Sequence, residues 1–132
     1  MITNELLASI QTRLTGDAGI TALVSASRIG NYLPQDVGYP HMLYDVDFES
    51  MQIKGEDAQE VNLQIDIWTN YRGSKACMDI ADAVRTALDG IPLTVASANG
   101  FGCTYETMDH FQEPEGNTYR CTMVFTLYFG AL

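Results

Sequence analysis

The residues best placed to do chemistry are acidic. In Asp45-Val46-Asp47-Phe48-Glu49 carboxylates alternate with apolar side chains, and with Glu56 they take the first, third, fifth and twelfth places of a calcium-binding loop. The sixth place of such a loop needs glycine for its sharp turn, and Ser50 stands there. The alternation is also that of a strand, where the loop should be entered from a helix. Asp45 and Asp47 have the chemistry for general acid–base work. In a chain with 17 Asp and Glu against 7 Lys and Arg, however, a strand face of carboxylates reads as a solvated or interface surface.

The other candidates are weaker. His41 and His110 are the only histidines, and neither belongs to HExxH, HxxxH or a Cys–His pair at zinc spacing. Cys121 and His110 could in principle meet as nucleophile and base, but Cys121 falls on the apolar side of its strand, where a thiol acts as a small hydrophobe. Asn99-Gly100-Phe101-Gly102 lacks the frame of a phosphate-binding loop and reads as a turn. No catalytic, cofactor-binding or metal-ligating residue is therefore assigned; neither a cofactor nor an enzymatic activity is expected. Trp68 lies on the polar side of its strand, so it is either an interface residue or covered by the chain's own helix or loop.

The elements that must position these residues follow from length and periodicity. At 132 residues the chain is the size of one domain, able to bury a core without metals or disulfides. Three widely spaced cysteines argue for a reducing compartment. No segment has the roughly 20 apolar residues of a membrane span, and the first ten residues do not form a secretory signal. The net charge of −10 repels phosphate backbones. Such acidity suits a cationic partner, or a surface that nucleic acid slides past.

Leu6, Leu7, Ile10 and Leu14 stripe a first helix capped by Thr3, and Asp17 caps a short second turn. Arg28 to Pro34 reads as a short strand. Residues 41–49 alternate with Met42, Tyr44, Val46 and Phe48 on one face, and residues 60–70 bury Val61, Leu63, Ile65 and Ile67, which predicts an antiparallel hairpin. Between them, residues 50–60 read as a long polar tongue. Ser74 caps a helix striped by Cys77, Ile80, Ala81, Val84 and Leu88 and stopped by Gly90 and Pro92. A short strand over residues 92–97 and a second hairpin follow, the last strand burying Cys121, Met123, Phe125 and Leu127. The expected fold is α+β, a single domain over residues 1–132 in the order α-β-β-β-α-β-β-β, its mainly antiparallel sheet covered on one face by two main helices.

This order, with particular fragments, resembles the tail completion or tail terminator family of long-tailed bacteriophages. The fragments are residues 22–35, residues 39–46, the strand end Ile65-Asp66-Ile67-Trp68, the helix end Leu88-Asp89-Gly90, and the closing strand opened by Tyr119-Arg120. The resemblance implies a virion protein at the head–tail junction, assembled in the bacterial cytoplasm. It implies a homo-hexameric ring that caps the tail tube, stops its growth and joins it to the head connector. Its partners would be the tube protein, the head-completion protein and genomic DNA, which passes without sequence-specific binding; no membrane is involved. Within that reading Asp45, Asp47, Glu49, Asp66 and Trp68 are candidates for a channel or subunit interface. Met51, Gln52, Ile53, Lys54, Glu56 and Asp57 are candidates for a partner-contacting loop. The alternative is a small acidic protein- or ligand-binding module without catalysis.

Overall fold

A computed structural model of the chain describes residues 2–53, 56–70, 74–91, 93, 95, 99–113 and 118–130. In chain order these form α1 (Ile2–Thr15), α2 (Ala18–Thr21), a 3-10 turn (Ala26–Arg28), β1 (Ile29–Gly30), β2 (His41–Ile53), β3 (Glu56–Thr69), α3 (Lys75–Leu88), β4 (Asn99–Gln112) and β5 (Tyr119–Gly130). The strands make one sheet in the order β1-β2-β3-β5-β4. β1 is parallel to β2 and every other pairing is antiparallel. The α+β class and both hairpins are as the periodicity predicts.

One face of the sheet carries the core. Met42 and Tyr44 of β2, Val61, Leu63, Ile65 and Ile67 of β3, and Cys121, Met123, Phe125 and Leu127 of β5 are all buried, as period-two alternation requires. Leu6, Ile10 and Leu14 of α1 and the Cys77, Ile80, Ala81, Val84 and Leu88 stripe of α3 are buried with them. The Tyr44 hydroxyl donates to Gln11 Oε1 at 2.6 Å, and Gln11 Nε2 donates to the Ile29 carbonyl at 2.9 Å, so one glutamine ties α1 to β1 and β2. β5 lies between β3 and β4, although it is the last strand in chain order. Its buried apolar residues, at every second position from Cys121 to Phe129, explain the placing. β4 has Cys103 as its only buried residue among those described and takes the edge.

Several local expectations are corrected. The tongue at residues 50–60 is not a loop: β2 and β3 stay paired to Ile53↔Glu56, leaving only residues 54 and 55 for the tip. Asn99 to Gly102 is not a turn but the start of β4, paired to β5. Gly100 is required there because a Cβ would collide with the Leu93 carbonyl. Of the strand expected over residues 92–97, only Leu93 and Val95 are described, and Val95 makes a single bridge. α1 includes Thr3 within its span, so Thr3 is not its cap. Ser74 precedes α3 without a side-chain capping bond. Asp17 does cap α2, accepting from the Ile20 N–H at 3.0 Å. At the end of α3, Gly90 adopts φ 78°, the left-handed conformation that glycine enters at least cost, and its N–H donates to the Cys103 carbonyl at 2.7 Å.

Leu63→Ala should lower the unfolding free energy by about 2–5 kcal/mol, because it opens a cavity in the buried core. Gly90→Ala should lower it by about 1 kcal/mol through backbone strain. Urea titration compares the two; a smaller loss at Leu63 than at Gly90 would contradict the packing described.

Candidate functional site

The uncovered face of the sheet holds two rows of side chains running across the strands. Register sets His41 opposite Trp68, Trp68 opposite Arg120, and Arg120 opposite Phe111. These neighbours touch. The His41 ring stacks on the Trp68 indole with centroids 5.0 Å apart and planes 24° apart, and the Tyr39 ring centroid lies 5.0 Å from that of His41, tilted by 40°. The Arg120 guanidinium lies 4.8 Å from the Trp68 ring centre and 5.6 Å from that of Phe111. A cation over an aromatic face contributes about 0.5–1 kcal/mol at exposed sites and more when desolvated.

The next row fixes that guanidinium. Asp66 Oδ1 accepts from Arg120 Nε at 3.2 Å, pairs with Arg120 Nη2 at 3.1 Å, and accepts from the Thr122 hydroxyl at 2.7 Å. Asp66 Oδ2 accepts from Gln64 Nε2 at 3.1 Å. With 8% of its surface exposed, Asp66 is a buried carboxylate whose charge and lone pairs are met by neighbouring strands. It therefore shares a face with Asp45 and Asp47 as alternation predicts, but it is an internal brace and offers no charge outward. Asp45 and Asp47 are exposed. One Asp45 oxygen accepts from the Val46 N–H at 2.9 Å. Glu49 belongs to β2, but its side chain lies outside the described residues, as do those of Met51, Gln52, Ile53, Glu56 and Asp57, and Lys54 altogether.

Burial holds His41 below its usual pKa of 6.5, and the nearby Arg28 lowers it further; the Gly38 carbonyl, 3.1 Å from Nδ1, opposes both. Beside this end of the row, a cavity of about 380 Å³ is lined by Tyr32, Leu33, Tyr39, His41, Leu43 and Trp68. Tyr32 is 84% exposed at its rim. A larger open groove, about 600 Å³, runs along α1 past Glu5, Thr12, Arg13 and Asp17.

The cysteines do not form a reactive site. Cys121 and His110 are register partners, but Cys121 is buried while His110 is exposed. Cys77 donates to the Ile67 carbonyl at 3.4 Å, and the Cys121 thiol, bonded in turn to Cys77 and buried, is pushed well up from its usual range. Burial raises Cys103 to about 12, with Asp89 adding to the rise and Arg13 opposing it. Cys103 and Cys121 are therefore held as protonated thiols, while Cys77, lowered by its hydrogen bond with Cys121, is itself fully buried. Among the described residues, no group of three or more His, Cys, Asp or Glu is arranged to hold a metal ion, and no helix is long and apolar enough to cross a membrane.

A profile of the family described as tail completion protein gp17 matches residues 8–130. The chain belongs to that family. Tail completion membership makes it a structural protein of phage-type tails and a virion component. A search of curated proteins finds no match. Among solved structures, a chain of the "Virion of native gene transfer agent (GTA) particle" superposes with a TM-score of 0.87 at 19% identity, over 97% of this chain and 96% of that one. It shares the fold. A weaker match, TM-score 0.29 and 18% identity over 72% of this chain and 43% of that one, is to the SPP1 phage Dit protein, titled a hub of the adsorption apparatus of phages infecting Gram-positive bacteria; at that score it carries no structural conclusion. Within the tail completion chain, the fragments Ile65-Asp66-Ile67-Trp68 and Tyr119-Arg120 meet physically through the Asp66–Arg120 pair and the Trp68–Arg120 contact.

Arg120, His41 and Phe111 complete the site; the sequence offers Arg120 only within the Tyr119-Arg120 fragment and His41 only as a histidine outside any metal motif, and it gives no sign of Phe111. Tyr119-Arg120 opening an alternating strand was the available signal for Arg120; His41 and Phe111 depend on register.

Asp66→Ala strips a half-buried guanidinium and the Thr122 hydroxyl of their acceptor and should lower stability by about 1–3 kcal/mol, read by urea unfolding followed through Trp68. Unchanged unfolding would mean that the pair contributes nothing. Acid should also weaken the fold at His41. Because the folded chain keeps His41 neutral where the unfolded chain protonates, its contribution is full above pH 6.5 and fades as pH falls below that value through the folded pKa. Between about pH 7.5 and about pH 5.5, His41→Gln should lose less stability than the parent chain; an equal loss in both would remove His41 as the cause.

Proposed function

We propose that this chain forms a closed ring, of six copies, that caps the head-proximal end of the tail tube, stops its polymerisation and joins the tail to the head connector. The observation that carries this reading is the family match across residues 8–130, nearly the whole chain. A ring needs one heterologous interface repeated until it closes. The uncovered sheet face, with its ordered row from His41 to Phe111, supplies a rigid surface for such contacts. Exposed Asp45 and Asp47 on the same face suit a wall past which DNA must move, since like charge prevents adhesion. The paired ends of β2 and β3, over residues 50–60, contact a neighbouring subunit or the tube. In this role the protein works by docking and catalyses no reaction. It is assembled in the host cytoplasm and sits at the head–tail junction with the tube protein and head-completion protein as neighbours.

A second reading, an acidic binding module, is favoured by the cavity of about 380 Å³ beside Trp68. Stabilisation by a small ligand in a thermal-shift screen, with no ring in solution or on tails, would move it ahead.

Electron microscopy of lysates lacking this gene tests the ring reading. The expected result is filled heads without tails beside free tails of variable, abnormal length; tails of normal length left unjoined would limit the role to joining, and normal particles would refute it. Asp45→Asn, Asp47→Asn and Glu49→Gln together should reduce infectious particle yield by about tenfold or more, through altered assembly or DNA passage, while leaving the fold intact. An unchanged yield would remove the charged face from the mechanism.

A further inference from the structure

β2 is an edge strand for most of its length. β1 pairs only with Met42 and Leu43, while β2 continues to Ile53. Within a strand, the N–H and C=O of one residue point to the same side and alternate with those of the next. In β2 the outward set is even-numbered: the Tyr44 carbonyl accepts from Asn31 Nδ2 at 2.8 Å, and the Val46 N–H donates to the Asp45 carboxylate at 2.9 Å. These two side chains occupy the places where a neighbouring strand would bond. Past Val46, no strand of the described residues lies alongside.

The opposite edge of the sheet, β4, is open as well but unsuited to pairing. Its register shifts at Gly100/Gly102 and again at Tyr105/Thr107, irregularities that deter strand addition. β2 has neither device: its register with β3 is unbroken over all 13 residues, and its sequence contains no Pro or Lys. The remaining guard is charge. Asp45 and Asp47 are exposed at the two-residue spacing of one strand face, and like charges opposite one another across a strand pair are destabilising. A second copy of this chain would bring the same carboxylates with its β2, or Glu106 and Asp109 with its β4.

We propose that the outer edge of β2 receives an extended basic segment of another protein by strand addition, with Lys or Arg at alternate positions facing Asp45 and Asp47. Main-chain bonds would supply the attachment and the carboxylates the selectivity. The inference goes beyond the ring and does not need it, since the edge is present in a single chain.

Hydrogen-exchange NMR on the purified chain tests it, using a synthetic peptide that alternates Lys with Val and Thr. The expected result is that the amides of Phe48 and Ser50 slow by about tenfold or more, while Val46, already bonded to Asp45, and the odd-numbered amides, already facing β3, change little. Asp45→Asn with Asp47→Asn, which keeps an oxygen for the Val46 N–H, should weaken binding by about fivefold. Absence of binding, binding without protection of the Phe48 and Ser50 amides, or equal binding of a peptide alternating Glu with Val would each overturn the proposal. So would protection that rises with protein concentration and no peptide, because the occupant would then be a second copy. These outcomes are read without tails, so failure here is separate from failure of the ring.

Discussion

Asp66 and Arg120 form a charge pair between the two innermost strands, β3 and β5, on the face that no helix covers. A sheet packed on one side has its other side free to twist, slip or take on partners. Here Thr122 and Gln64 complete the carboxylate's hydrogen bonds, and the Arg120 guanidinium lies near the rings of both Trp68 and Phe111. Moving β5 by two residues would keep Cys121, Met123, Phe125 and Leu127 on the core face but carry Arg120 about 7 Å along the strand, away from Asp66. The pair therefore fixes register where the apolar side tolerates several fits of similar volume. It also places Arg120 opposite Trp68, which the neighbouring ladder sets opposite His41.

Much of the fold was legible because it rests on periodicity. The stripe of α3, the alternation of β2 and β3 and the buried set of β5 come from spacing within a segment, and each was found where the spacing put it, except that Val46 is half-buried and the Phe48 side chain lies outside the described residues. Register between distant segments has no such signal. Asp66 and Arg120 are 54 residues apart, and alternation assigns each to a face without naming its neighbour. That is why Asp66 read as outward charge: its face was right, but the cation that buries it belongs to another strand. The tongue was misread for a related reason. Its polar composition lacks an apolar face, and what keeps it extended is main-chain pairing across the hairpin, to which composition is blind. Gly100 and Gly102 suggested a turn, whereas Gly100 answers to a close approach by residue 93 that only the folded chain contains.

The two faces divide the work. The inner face holds the apolar core, and the outer face, braced by the Asp66–Arg120 pair, presents Asp45, Asp47 and an aromatic row. The 19% identity to a gene transfer agent virion chain at a TM-score of 0.87 fits this division. An apolar side of suitable volume admits many sequences, while the outer side can be rewritten for different neighbours.

The insertion of β5 has a consequence in time. Val61 pairs with Leu127 and Thr69 with Tyr119, so the middle of the sheet waits for the end of this sequence to be synthesised. Until then β3 has a bare side along its full length, and its inner residues lack the strand that packs beside them. Pairing over such separations is slow because the connecting loop must close first. A growing chain therefore carries an adhesive edge while many copies are made together, and that window closes only when residues 119–130 arrive. For a protein meant to meet its neighbours through specific surfaces, the order of synthesis is itself a hazard that the finished fold conceals.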